Sequence, residues 1–324
     1  MACPRSLHTE YRMKFHIALL FIVLGFMGGA APQIAAAPSI PISTQQARIK
    51  PKIESRVLPR PVTFREVKER GLLVRVWVND TGPYSFAVDT GAGITLISGH
   101  VASLAGTNRF GSQVSLGGLS GASPSSGTNT TIRSLAIGDR SNLLSANQKA
   151  IIIDNLPHDI DGVLDPTEAY LPFGYSIDLP NRELAAFDPR QRPLNVNDIP
   201  EGGTVVRWLG NGSGRRPFVR LGDGRLALLD TGSGFGLAIS REGTLTVRGG
   251  KPGVHDLGGG RVTSERISPS TISIGSLMLR RIPTDLLDGV EKDAPILLGR
   301  DALSPFRLAF DPVQRLIEIA PVSR

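Results

Sequence analysis

Ser85-Phe86-Ala87-Val88-Asp89-Thr90-Gly91 and Leu226-Ala227-Leu228-Leu229-Asp230-Thr231-Gly232 are the two stretches on which the reading of this 324-residue chain turns. Each is an apolar run of strand length that ends in Asp-Thr-Gly. Ahead of the first lies Leu72-Leu73-Val74-Arg75-Val76-Trp77-Val78, followed by turn residues at Asn79-Asp80-Thr81-Gly82-Pro83. Ahead of the second lies Pro217-Phe218-Val219-Arg220-Leu221, with a turn at Gly222-Asp223-Gly224. Both read as hairpins whose second strand delivers the Asp-Thr-Gly at its end.

The likeness continues outward, as an internal repeat should. Ile94-Thr95-Leu96-Ile97-Ser98 answers to Gly236-Leu237-Ala238-Ile239-Ser240, and Leu116-Gly117-Gly118 stands at the same offset from its aspartate as Leu257-Gly258-Gly259. Leu135-Ala136-Ile137-Gly138 answers to Ile272-Ser273-Ile274-Gly275. Each copy closes on Pro-Phe and an apolar run to an Asp, at Pro172 to Asp178 and Pro305 to Asp311, and a last strand follows each. No long helix is evident. The expectation is an all-β, bilobal molecule: two similar β-barrel-like lobes related by a pseudo-twofold axis, over 69–188 and 205–324, with a proline-containing inter-lobe linker at 189–204.

Packing two such lobes about a twofold axis brings Asp89 and Asp230 together. Glycine after each Asp-Thr allows a tight turn and a close approach of backbone. Two carboxylates at that range cannot both ionise and hold one proton between them over a wide pH span. One then serves as base toward a water while the other, protonated, polarises a carbonyl. That chemistry needs neither metal nor cofactor. A lone Asp-Thr-Gly is weak evidence, since it also occurs as an ordinary turn after a strand; two copies in matching hairpins are far more specific.

At these residues the chain resembles the pepsin-like and retropepsin-like aspartic peptidases, and more closely the bacterial retropepsin-like proteases, with both lobes in one polypeptide. The resemblance covers roughly residues 70 to 320. It implies the bilobal acid-protease fold, catalytic roles for Asp89 and Asp230, and a supporting loop of Thr90, Gly91, Thr231, Gly232 and Ser233, in which the threonines tie the lobes together by hydrogen bonds. Ile296-Leu297-Leu298-Gly299-Arg300-Asp301-Ala302-Leu303 matches the family's late signature and implies a strand crossing under the active-site loop, then a short helix. The first lobe departs from it: Asp161-Gly162-Val163-Leu164-Asp165 places Asp165 where the second lobe has Gly299. The loops differ too, with Ala92 facing Ser233. A Ser233 hydroxyl donating to Asp230 would leave Asp89 as the holder of the shared proton. No flap tyrosine is present. Gly117 and Gly118, and in the second copy Gly258 and Gly259, suit a glycine-rich flap that closes over peptide.

The N-terminus reads as an export signal over residues 1–37: Arg12 and Lys14, an apolar run from Phe15 to Ala31, then small residues. Residues 38–68, rich in proline and basic side chains, read as a linker or pro-segment, and the basic run from Arg48 to Arg70 suits an inhibitor lying across an acidic cleft or a solvated tether. Cys3 is the single cysteine, so no disulfide forms within the chain and thiol-protease chemistry is excluded. A disulfide-free exported protein suits a periplasmic or secreted location, membrane-anchored if the apolar segment is uncleaved. The net charge of +7 invites a nucleic-acid reading, but the arginines and lysines are scattered and no aromatic-interleaved basic motif appears. The expected partner is a peptide or protein substrate, with no nucleic acid, and the expected state is a monomer. The reading is an aspartic endopeptidase. Its rivals are a peptide-binding protein on the same scaffold without catalysis and a narrow self-processing protease.

Overall fold

Alternating apolar residues from Gly71 to Val78 and a return through Val88 form the first hairpin, closed by Asn79 and Asp80 at φ 46° and 66°. Two successive positive-φ residues twist a two-residue turn to match its strands, and Asn and Asp tolerate that conformation best after glycine. The computed structural model describes residues 57–117, 119, 125–210, 215–241, 254–255, 261–290 and 294–322. The stretch from Ser55 onward forms one unit. The expected signal segment lies outside the described residues, as does most of the segment expected as linker or pro-segment.

In chain order the first half runs β1 (Val62–Thr63), β2 (Arg65–Val67), β3 (Gly71–Val78), β4 (Thr81–Val88), β5 (Thr95–Ser98), α1 (Gly99–Leu104), β6 (Phe110–Leu116), β7 (Ser125–Ile132), β8 (Leu135–Ile137), β9 (Gln148–Ile153), β10 (Gly162–Leu164), α2 (Pro166–Ala169), β11 (Gly174–Asp178) and β12 (Glu183–Phe187). The second half runs β13 (Thr204–Arg207), β14 (Phe218–Arg220), β15 (Leu226–Leu229), β16 (Leu237–Ser240), β17 (Val254–His255), β18 (Arg261–Ile274), β19 (Leu277–Asp288), β20 (Ile296–Leu298), α3 (Arg300–Leu303), β21 (Phe306–Asp311) and β22 (Leu316–Pro321).

The repeat read from the sequence is a repeat of topology. The first lobe's sheet follows β3-β4-β10-β5-β9-β7-β6, and the second follows β14-β15-β20-β16-β19-β18-β17. Each pairing has the same sense in both. The aspartate-bearing strands β4 and β15 pair in parallel with β10 and β20, and these run antiparallel to β5 and β16. A third sheet, β1-β12-β11-β21-β22-β13, is shared, with three strands from each half meeting where β11 pairs antiparallel with β21.

The lobes are not barrels, which corrects the expectation of barrel-like closure. Each lobe's sheet is open, ending on β2 and β6 in the first and on β14 and β17 in the second. The physical reason is the shared sheet. One continuous core joins Leu72, Val88 and Ile97 of the first lobe, Leu229, Leu237 and Leu298 of the second, and Tyr175, Leu308 and Phe310 of the sheet between them. An apolar face covered by another sheet has no need to curl onto itself. Tyr175 stacks on Phe310 at 4.8 Å across the central strand pair, and burying each such ring contributes roughly 1.5–3 kcal/mol.

The expected boundaries also shift in detail. Val62 to Val67, read within the 38–68 linker, supplies β1 and β2, and Phe64 is buried. Leu194 of the inter-lobe linker is buried against Phe187, Val205, Ala309 and Leu316. Among the described residues no helix is long and apolar enough to cross a membrane.

Candidate active site

β4 and β15 stop at the same place. The Asp89 N–H donates to Leu164 O at 3.0 Å and the Asp230 N–H to Leu298 O at 3.0 Å, so each aspartate is held by the last residue of the neighbouring parallel strand. From there the two Asp-Thr-Gly loops meet. The Thr90 hydroxyl donates to Leu229 O at 2.7 Å, and the Thr231 hydroxyl to Val88 O at 3.2 Å. The Thr231 N–H donates to the Thr90 Oγ1 at 3.0 Å, and the Thr90 N–H to the Thr231 Oγ1 at 3.2 Å. Both threonines are fully buried, so these reciprocal bonds form away from water, and losing one partner strands a buried polar group.

Glycine is required beyond them for a reason that can be measured. A Cβ on Gly91 would stand 2.9 Å from the Asp230 carboxyl carbon, and one on Gly232 would stand 2.5 Å from that of Asp89. Each lobe's glycine makes room for the other lobe's carboxylate. The two carboxyls stand close enough for each to act on the other's titration. The Gly91 N–H also donates to Asp89 at 2.7 Å, and the Gly232 and Ser233 N–H groups to Asp230 at 2.8 and 3.0 Å.

Burial pushes both carboxyls above the ordinary Asp value, and the charge of Asp89 pushes Asp230 further up. Arg216 and Arg300 hold Asp89 down against its burial. Both shifts favour one proton held between the two carboxyls. The Ser233 hydroxyl does not serve Asp230 as a donor. It accepts from the Phe235 N–H at 3.3 Å, while Ser233 reaches Asp230 through its backbone.

The late signature behaves as read. β20 lies between β15 and β16, and α3 follows with Gly299 at its N-cap. A Cβ there would meet Phe235 O at 2.4 Å and Ser233 O at 2.8 Å. Arg300 is buried and clamps the loop, donating from Nη1 to Thr231 O at 2.6 Å and Gly232 O at 3.0 Å, and from Nε to Glu66 at 3.2 Å. In the first lobe the alignment does not slip: Leu164 pairs with Val88 as Leu298 pairs with Leu229, so Asp165 truly stands for Gly299. Its Oδ1 caps α2 by accepting the Thr167 N–H at 2.9 Å. Its Oδ2 is buried with no partner among the described residues, and burial raises the carboxyl to about 7.

The flap glycines fare unequally. β6 and β7 form a hairpin with Leu116 opposite Ser125, and a Cβ on Gly117 would touch nothing. Leu119, at the tip of this first-lobe hairpin, packs against the second-lobe cluster of Phe218, Leu228 and Leu297. Through Leu119 the first lobe thus touches the second. Gly118, Gly258 and Gly259 lie outside the described residues. Two arginines that act on Asp89 escaped sequence reasoning: Arg300, quoted only as part of a signature, and Arg216, which carried no signal beyond its basic neighbour Arg215.

Residues 74–164 match the family model described as aspartyl protease. The match takes in Asp89 and ends immediately before Asp165. No curated protein matches the sequence. Among solved structures the aspartic proteinase from Irpex lacteus superposes with a TM-score of 0.54 at 12% identity, covering 81% of this chain and 97% of that one. The findings support a protease-type function. The chain carries the aspartic proteinase fold across both lobes, and its first lobe carries the sequence pattern of the aspartyl protease family.

Proposed function

We propose that the protein is an aspartic endopeptidase with Asp89 and Asp230 as its catalytic pair. The observation that carries this reading is the approach of two carboxyls, one from each lobe, where the two loops meet, each lying against the glycine of the other lobe's loop. A structural turn has no need of that contact, because pressing two acids together out of water costs stability. In the proposed cycle a water lies between the carboxyls. The ionised carboxyl of the pair takes its proton as the water attacks the scissile carbonyl carbon. The protonated one donates to the carbonyl oxygen. Collapse of the tetrahedral species breaks the C–N bond: the proton taken from water passes to the leaving amine, and a hydroxyl proton returns to the carboxyl that had donated, restoring the pair. The flap hairpin excludes water and supplies backbone groups to an extended peptide. Export, and action as a monomer, belong to the same proposal. The N-terminal pattern of basic, apolar and small residues supports the first, and the presence of both aspartates in one chain supports the second.

The test is cleavage of a mixed peptide library from acid to neutral pH, beside Asp89→Asn and Asp230→Asn chains whose folding is checked by circular dichroism. The expected outcome is cleavage by the parent and a drop of about a thousandfold or more in each variant. Peptides bound but never cut would favour the binding-protein reading, and cleavage that survives both substitutions would end the dyad assignment.

A further inference from the structure

Two arginines act on Asp89, and a third, Arg215, is the chain neighbour of one of them. Arg300 is occupied by Thr231 O, Gly232 O and Glu66. Arg215 pairs with Glu168 of α2. Arg216 differs. Its backbone is pinned, its carbonyl accepting from Trp208 Nε1 at 2.8 Å and from the Phe218 N–H at 3.1 Å. Its guanidinium has no hydrogen bond or ion pair among the described residues, although the side chain is half-buried. It reaches out of the second lobe onto the first lobe's catalytic loop, where Nε lies 3.2 Å from the point a Cβ on Gly93 would occupy. Gly93, at φ 72°, leaves that space open and supplies no side chain to answer the charge. The guanidinium is near enough to Asp89 to act on it electrostatically.

A half-buried guanidinium carries five donors and a charge that never leaves it, and its best complement is a carboxylate bound through two parallel hydrogen bonds. The nearby acids are committed elsewhere: Glu168 to Arg215, Glu66 to Arg300, and Asp89 to Asp230. We propose that Arg216 is a specificity-determining residue, a receptor for a carboxylate of the peptide substrate bound beside the catalytic pair. This rests on the peptidase reading above. The carboxylate comes from an acidic side chain near the scissile bond or from the C-terminus of a short peptide; the chemistry at Arg216 is the same for both.

The experiment uses the full chain and matched peptides. One set exchanges Glu for Gln at each position around the scissile bond, and the other exchanges a free C-terminal carboxylate for the amide. The quantity read is the ratio of kcat/KM between the two members of a pair. The parent is expected to favour the carboxylate by about tenfold or more, as for a hydrogen-bonded pair with a charged group. Preference in the first set assigns an acidic side chain, and preference in the second assigns the C-terminus. Arg216→Gln should bring the ratio close to one, Arg216→Lys should restore part of it, and Arg216→Glu should turn preference toward lysine-bearing peptides. A parent with no carboxylate preference, or a preference that Arg216→Gln and Arg216→Glu leave intact, overturns the proposal. If the parent cuts no peptide at all, the peptidase reading fails, and the receptor is judged by calorimetry on the Asp230→Asn chain. Tighter binding of the carboxylate member, lost when Arg216→Gln is added, supports it; equal binding of both members overturns it.

Discussion

The two ends of the topological repeat solve one problem in two ways. After β20 the second lobe uses Gly299, and the backbone of Ser233 and Phe235 closes onto it so tightly that no side chain fits. Arg300 then locks the catalytic loop by its carbonyls. After β10 the first lobe uses Asp165, a fully buried acid that caps α2 and keeps one oxygen without a partner among the described residues. Its N–H donates to the Thr95 hydroxyl at 3.2 Å, where the Gly299 N–H donates to Gly236 O at 3.0 Å. One lobe positions its aspartate by close backbone packing and a buried cation, the other by a buried side-chain cap. Topological symmetry therefore does not require chemical symmetry, provided that each solution leaves Asp89 and Asp230 in contact.

The strongest way to break this comparison is to impose the first lobe's solution on the second. Gly299→Asp places a Cβ within 2.4 Å of Phe235 O, so the loop must move. A loss of about 4 kcal/mol or more, or failure to fold, is expected in thermal melts. Unchanged stability would mean that the close packing at Gly299 is not needed.

Next comes the pH dependence of Asp165. Its carboxyl is raised to about 7 in the folded chain and returns to the ordinary Asp value on unfolding. The folded state therefore binds more protons between these values, so stability is greatest in acid and falls as pH rises from about 4 to about 7. The raised carboxyls of Asp89 and Asp230 act with the same sign. Asp165→Asn keeps a capping oxygen and removes the titration. The fall with pH should shrink by up to about 4 kcal/mol, read from urea midpoints across pH.

A third effect concerns what the lobes share. Thr90→Val and Thr231→Val each break reciprocal bonds at the buried junction and should cost roughly 1–3 kcal/mol. The double variant should cost less than the sum, because the second change removes groups already stranded. Strict additivity would show that the two threonines do not act as a unit.

The smallest effect is expected at the rim. Glu66 is half exposed, so Glu66→Gln should change stability by less than about 1 kcal/mol even though its partner Arg300 is buried. A larger loss would show that the inter-lobe ion pair, rather than the carbonyls of Thr231 and Gly232, is what holds Arg300.

Much of this was legible in the chain itself. The hairpins ending at Asp89 and Asp230 are signalled by short-range features: apolar runs of strand length and turn residues that accept positive φ. Gly138 and Gly275, at equivalent points of the repeat, both take positive φ, at 73° and 54°. What could not be read were features that join distant residues. Leu119 meeting the second lobe, Arg216 crossing to Gly93, and Arg300 reaching Glu66 have no local pattern. The role of the Ser233 hydroxyl was misjudged for the same reason. Ser233 beside Asp230 suggested a hydroxyl donor, but the hydroxyl accepts from Phe235, and the charges that bias the pair come from Arg216 and Arg300.

The sequence by itself determined the strands, the duplication and the two Asp-Thr-Gly loops, because strand alternation and turn chemistry act over a few residues. Only the tertiary structure decided that the lobes stay open and share a six-stranded sheet, that Asp165 is a buried cap whose carboxyl is raised to about 7, and that one arginine beside the pair has no partner among the described residues. Burial and pairing are set by which surfaces meet, and that depends on the packing of segments far apart in the chain.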